Sequence, residues 1–228
     1  MKFDLTAAAF QHAIAVPANI APSGTCHVAA RDDTVTVTGD DGVVRVECRA
    51  AATVSDTGGA HLPSGLLRGL VDAMPDGTVA VSSTGSIVEL HGTPGPDVTD
   101  EPFRASMWQV PNPVLPDAPP SPRRIGNLDV AAFTTAMNQV FPAVSRDLTN
   151  PALTAVSVTA TGGVLEAAAT DSYRLHVTAT EMIDAAAWPG QALIPAAAVR
   201  RILALFPSSA PAELHLDDAT LMLRSDHA

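Results

Sequence analysis

Aromatic side chains are scarce in this chain, at 4% of its 228 residues, so any core must be built from Ala, Val, Leu and Ile. Cysteine is scarcer still. Cys26 and Cys48 are too few for a disulfide framework and read as buried free thiols of a protein from a reducing compartment. Cations are also few: 13 Lys plus Arg stand against 24 Asp plus Glu, a net charge of −11. That balance disfavours whole-surface attraction to nucleic acid or anionic lipid, while leaving room for a local basic face. No apolar run approaches the roughly 18 residues of a membrane span, and the N-terminus has no signal-peptide core. A cytoplasmic protein with no membrane partner is expected. The length fits one large or two small domains.

Most catalytic signatures are missing too. The chain has no G-x-S-x-G elbow, H-E-x-x-H pair, phosphate-binding G-x-x-x-x-G-K-[ST] loop or C-x-x-C pair. Its seven histidines are scattered, and none has a second ligand at helical spacing. Asp32, Asp33, Asp40 and Asp41 form the densest acidic cluster. Without a D-x-D-x-D-G spacing they read as the polar ends of a hairpin, with Asp41-Gly42 as turn residues, rather than as a cation site. The expectation is no enzyme, no cofactor and no metal.

What the chain does contain is one plan written twice. "FDLTAAAFQHAIAVPANIAP" and "GNLDVAAFTTAMNQVFPAVS" both read as a short strand entering an Ala-rich helix, with Ala9-Phe10 matching Ala132-Phe133. "HLPSGLLRGLVDAMPDGTVAVSS" and "LIPAAAVRRILALFPSSAPAELHL" share four landmarks at one offset: Pro63 and Pro195, Arg68 and Arg200, Leu70 and Ile202, Pro75 and Pro207. The first proline of each pair suits the opening position of a helix, which needs no N–H, and the second suits its stop. Around these helices run alternating β-type segments: "TVTVTG", "VVRVECRA", "TVAVSS", "SIVELHG", "AVSVTAT", "VLEAAAT", "RLHVTAT", "AELHLDD" and "TLMLRS". A Pro-rich stretch, "PNPVLPDAPPSPRR", separates the copies. We therefore expect an α+β fold of duplicated domains, each with two helices packed against antiparallel sheets. The boundaries are 1–116, a linker at 117–124, and 125–228.

One stretch, "ATDSYRLH" at 169–176, is unusual because a small-residue strand runs straight into an acid, a hydroxyl, an aromatic and a base. The longer order "AMNQVFPAVSRDLTNPALTAVSVTATGGVLEAAATDSYRLHV" closely resembles the second domain of the bacterial DNA polymerase III β subunit, the sliding clamp family. That family carries an S-R-D-x-x-x-P-x-L stretch and then a strand entering A-T-D-x-x-R-L, and both stand here in order. "MKFDL", "LPSGLLRGLVDAMPDGTV" and "FRASMWQVPNPVLPDAPP" look like its first domain and first linker.

The resemblance implies a processivity clamp fold: a ring of similar domains, strands outside and helices lining a hole, which encircles duplex DNA without reading its sequence and catalyses nothing. It implies a pocket for short hydrophobic peptides of the polymerase, clamp loader and repair proteins, lined here by Thr170, Tyr173, Arg174, Leu175 and Leu153. Arg68, Arg200, Arg201 and Arg146 become the candidates for DNA contact. It also implies a nucleoid-associated location and ring self-association where a third domain is present.

Against that pattern, Ser172 and Tyr173 replace the usual Gly and His, "NIAPSGTCHV" lacks a basic residue, and the chain stops before the expected last strand of the second domain. A third domain is expected to be absent, "ATLMLRS" to be an unpaired strand edge, and the chain to be a monomer or weak dimer. Two other readings stay open. One is a clamp-derived adaptor that binds the same peptides without encircling DNA. The other is an unrelated α+β hydrolase or ligand-binding domain that uses Asp171 and Arg174.

Overall fold

The computed structural model describes residues 1–21, 24–96, 101–111, 122–186, 188–206, 211–218 and 220–225. The chain divides into two compact units, Met1–Pro116 and Asp117–His227. Pro207, Asp226 and most of the Pro-rich linker lie outside the described residues, and Arg123–Arg124, assigned above to that linker, are already strand.

The first unit runs β1 (Lys2–Thr6), α1 (Ala7–Ile20), β2 (Thr25–Arg31), β3 (Thr34–Asp40), β4 (Arg45–Ala51), β5 (Thr53–Asp56) and β6 (Gly58–Pro63), then α2 (Ser64–Asp72), β7 (Gly77–Thr84), β8 (Ile87–Pro94) and β9 (Phe103–Trp108). The second runs β10 (Arg123–Asp129), α3 (Val130–Val140), β11 (Ala155–Thr161), β12 (Val164–Thr170), β13 (Leu175–Glu181), β14 (Trp188–Pro195), α4 (Ala196–Leu205), β15 (Pro211–Leu216) and β16 (Leu221–Arg224). Short 3-10 turns at Phe141–Ala143 and Pro151–Thr154 lie between α3 and β11.

Each unit has two antiparallel sheets: β5-β1-β7-β8-β9 with β4-β3-β2-β6, and β10-β15-β16 with β13-β12-β11-β14. The first helix of each unit is capped at the end of its strand. Thr6 Oγ1 accepts from the Ala9 N–H, and Asp129 Oδ1 accepts from Ala131 and Ala132. Pro63 and Pro195 stand one residue before their helices, closing β6 and β14.

Strand alternation sends one face of each sheet inward. Val28, Val35, Val37 and Leu62 pack with Phe3, Phe10, Ile14 and Leu67 in the first core, where the Phe3 and Phe10 rings meet edge to face at 5.9 Å. Val156, Val158, Leu165 and Ile194 pack with Phe133, Met137, Ile125 and Leu214 in the second. Each such fully buried side chain contributes about 1.5–3 kcal/mol. Gly39 is a required small residue: a Cβ there would stand 2.1 Å from the Pro17 carbonyl oxygen of α1.

The duplication extends to register. Thr25 pairs with Pro63 and Ala155 with Pro195; Arg31 pairs with Thr34 and Thr161 with Val164; Thr34 pairs with Ala51 and Val164 with Glu181. Residue n of β2, β3 and β4 thus corresponds to residue n + 130 of β11, β12 and β13.

Candidate functional site

"ATDSYRLH" forms the hairpin between β12 and β13, closed by the Thr170–Leu175 pair. Asp171 builds the turn. Its Oδ1 accepts from the Tyr173 and Arg174 N–H groups at 3.1 and 3.0 Å, and its Oδ2 lies 2.8 Å from Arg174 Nε. The Arg174 hydrogen bond is the main reason the Asp171 carboxyl is held below its ordinary pKa. Thr170 Oγ1 donates to the Arg174 carbonyl at 2.8 Å and accepts from the Ser172 N–H at 3.1 Å. Crowding an acid, a hydroxyl and a base at this strand end therefore makes a self-capped turn.

The apolar side chains of this hairpin face outward. Tyr173 at its tip is 97% exposed and Leu175 is 65% exposed. Leu153 is half-buried and stands two residues ahead of β11, and its carbonyl accepts from the Ser145 N–H at 2.9 Å. Thr170, Tyr173, Arg174 and Leu175 are thus brought together by one turn, with Leu153 at the entry of a strand in the same sheet. Three further residues share this outward face and were not singled out above: Val177 on β13, 54% exposed, Leu193 on β14, 44% exposed, and Val164 at the far end of β12, 39% exposed. The signal for Val177 and Leu193 was available in the alternation of "LHVTATE" and "QALIP", where a half-buried strand should point polar residues outward.

The equivalent hairpin of the first unit is built the same way from other residues. Asp41 Oδ1 accepts from Val43 and Val44, and Asp40 Oδ2 lies 3.1 Å from Arg45 Nε. Asp32 and Asp33 form the turn at the other end of β3, with φ of 50° and 53°. The acidic cluster is therefore a set of hairpin ends, and among the described residues no group of three or more His, Cys, Asp or Glu is placed to hold a metal ion. On the outward face of this first sheet stand Arg45, Glu47 and the His27–His61 pair, whose rings stack at 4.4 Å. Burial holds both histidines below their ordinary pKa, with Arg45 adding to the effect on His27.

The candidate DNA-facing arginines have differing surroundings. Arg68 Nε reaches Asp72 at 3.4 Å, and its Nη1 donates to Asn19 near the end of α1. Arg200 stacks 3.9 Å above the Phe141 ring, just past the end of α3. Each duplicated arginine thus braces the end of its unit's first helix, a structural task that the sequence reading did not foresee. Arg201 is half-buried. Arg146 is exposed in the loop after the Phe141–Ala143 turn and makes no hydrogen bond or ion pair among the described residues.

Comparison with known proteins places the second unit. Residues 127–228 match the family model described as the DNA polymerase III beta subunit, central domain. A curated relative, the beta sliding clamp of Micrococcus luteus, is 38% identical over 121 residues, which is 53% of this chain and 36% of the relative.

Among solved structures, the DNA polymerase III β subunit of Pseudomonas aeruginosa superposes with a TM-score of 0.83 at 15% identity, covering 99% of this chain and 62% of that one. The Bacillus subtilis DNA polymerase sliding clamp gives 0.82 at 17% identity, with the same coverage. Both units therefore have the clamp fold. The chain spans about a third of the curated relative in their alignment and under two thirds of the solved clamps.

Proposed function

We propose that this chain acts as a DNA sliding clamp, a processivity factor that encircles duplex DNA and tethers polymerase, clamp-loader and repair proteins without catalysing a reaction. Met1–Pro116 then serves as clamp domain I and Asp117–His227 as domain II. The protein works in the cytoplasm, at the nucleoid; no helix among the described residues is long and apolar enough to cross a membrane.

One observation carries the reading. The two units present equivalent outward sheet faces, yet among the described residues only the second exposes large apolar side chains on the strands there. Leu175, Val177 and Leu193 occupy the positions held by Arg45, Glu47 and His61 in the first. Exposed leucine and valine on one of two equivalent faces stabilise neither fold, and they suit an apolar peptide anchored by a few polar groups. Leu153, Tyr173 and Leu175 supply the apolar contact, while Thr170 and Arg174 fix the peptide backbone. Arg68, Arg146, Arg200 and Arg201 supply weak contacts to phosphate, which allow sliding.

The adaptor alternative has one observation in its favour: Arg68 and Arg200 both make contacts within their own unit. Retention on DNA separates the two readings. A clamp stays on closed circular DNA and slips off the same DNA once it is cut. A chain that binds the polymerase tail peptide but is never retained on circles is the adaptor, and one that does neither has another function.

A further inference from the structure

The four strands β11 to β14 contain no lysine or arginine, and their only carboxylates are Glu166 and Glu181. Both are exposed, and both point outward, on the same face as Leu175, Val177 and Leu193. The register fixes their order. Leu175 pairs with Thr170 at the hairpin end. The next outward row holds Val177, Ala168, Ser157 and Leu193; the next holds Ala179, Glu166, Thr159 and Gln191; the last holds Glu181, Val164 and Thr161. Leu175, Val177 and Leu193 therefore gather towards the hairpin end, while both carboxylates lie towards the other, where Val164 sits beside Glu181. Leu175 and Glu181 are separated by about 20 Å, the length of six extended residues at roughly 3.4 Å each.

We propose that the docking surface continues from the hairpin down this face, and that its occupant is an extended partner segment whose apolar residues are followed, about four to six residues away, by lysine or arginine. The inference rests on the peptide-binding reading above and adds the charge and spacing of the partner. Charge complementarity selects this occupant, because a neutral or acidic extension would meet two uncompensated carboxylates. Among the described residues Glu166 and Glu181 have no ion-pair partner within the chain. The first unit offers no such gradient, since its matching sheet mixes Arg31, Arg45 and Arg49 with Asp40 and Glu47.

Fluorescence anisotropy on the full chain tests this with one labelled peptide, the C-terminal tail of the cognate replicative polymerase. It is used unmodified, and extended at either end through a Gly-Ser spacer of about four residues by Lys-Lys or by Glu-Glu. At low salt, one Lys-Lys form should bind roughly three- to tenfold more tightly than its Glu-Glu counterpart, and the difference should collapse at high salt. It should also collapse in the Glu166→Gln/Glu181→Gln variant. A Glu89→Gln/Glu101→Gln variant, with the same charge change in the first unit, should keep it. Equal affinities for all extended forms, or a lysine preference that survives Glu166→Gln/Glu181→Gln, would overturn the inference while leaving the peptide site standing. Failure of the unmodified tail to bind removes the underlying reading, and this inference with it.

Discussion

Ser172 occupies the turn position that Gly42 holds in the first unit, and both are left-handed, with φ of 73° and 84°. Glycine adopts this conformation freely, whereas an L side chain there costs about 1–2 kcal/mol. The second hairpin tolerates the strain because Asp171 and Thr170 hold the turn from both sides. Ser172→Gly should therefore stabilise the protein, by about 0.5–1 kcal/mol after allowing for the entropy of glycine in the unfolded chain. Urea denaturation measures it, and a loss of stability would show that the serine makes a compensating contact.

Gly39→Ala should act in the opposite direction. The new methyl would meet backbone of α1, at Pro17, which cannot swing aside as a flexible side chain would. A loss of about 2–3 kcal/mol is expected from such overpacking. The second unit already carries Ala169 at the corresponding position, so Ala169→Gly should cost only about 0.5–1 kcal/mol. The two midpoints from parallel melts check the contrast.

The stacked His27–His61 pair predicts acid sensitivity in the first unit. Both imidazoles are held below the ordinary value of 6.5, so the folded state binds fewer protons than the unfolded chain. Stability is then fully present above about pH 7 and declines as pH falls through 6.5 towards the depressed folded values. Asp171 and Glu213, lowered chiefly by side-chain hydrogen bonds with Arg174 and His215, contribute in a more acidic range, as pH falls through the carboxylate region. Unfolding free energies at pH 7.5 and pH 5.5 should differ less in a His61→Gln variant than in the parent. An unchanged difference would exclude the pair as its source.

Arg174→Ala and Leu175→Ala separate binding from folding. Arg174 is largely exposed, so its pair with Asp171 is screened by solvent and contributes little to stability. Both variants should therefore remain folded and lose about 1–3 kcal/mol of affinity for a polymerase tail peptide. Unchanged affinity in both variants would remove the hairpin from the peptide site.

Replacing Arg68, Arg200 and Arg201 with Glu should abolish retention on circular DNA and leave peptide affinity intact. Because Arg68 also reaches Asn19 and Asp72, Arg68→Ala alone should lower the melting temperature slightly. Retention that survives the triple charge reversal would take these helices out of the DNA contact.

Much of this architecture was legible in the sequence, and what was hidden has a physical reason. The helices and the β3–β4, β7–β8, β11–β12–β13 and β15–β16 hairpins showed through periodicity and turn chemistry. β6, reading "GGAHLP", and β14, reading "WPGQALIP", did not, because Gly and Pro normally mark breaks and here sit inside paired strands. At the candidate site, motif order led to Thr170, Tyr173, Arg174, Leu175 and Leu153. It did not single out Val177 or Leu193: Val177 shares the face of Leu175 by alternation along β13, and Leu193 joins it through the pairing of β14 with β11. Nor could it show that Arg68 and Arg200 brace helix ends, since Asn19 and Phe141 are distant along the chain.

The constant offset between residues 25–51 and 155–181 makes these two stretches interchangeable cassettes. Every strand length and hairpin loop is the same in both, so grafting the outward residues of one onto the other changes no backbone hydrogen bond. On the proposed reading, what the scaffold recognises is written on alternate residues, and what makes it fold is written on those between. A chimaera in which the first unit receives the outward set Leu, Val and Leu at positions 45, 47 and 61 would carry two docking faces on one unchanged frame.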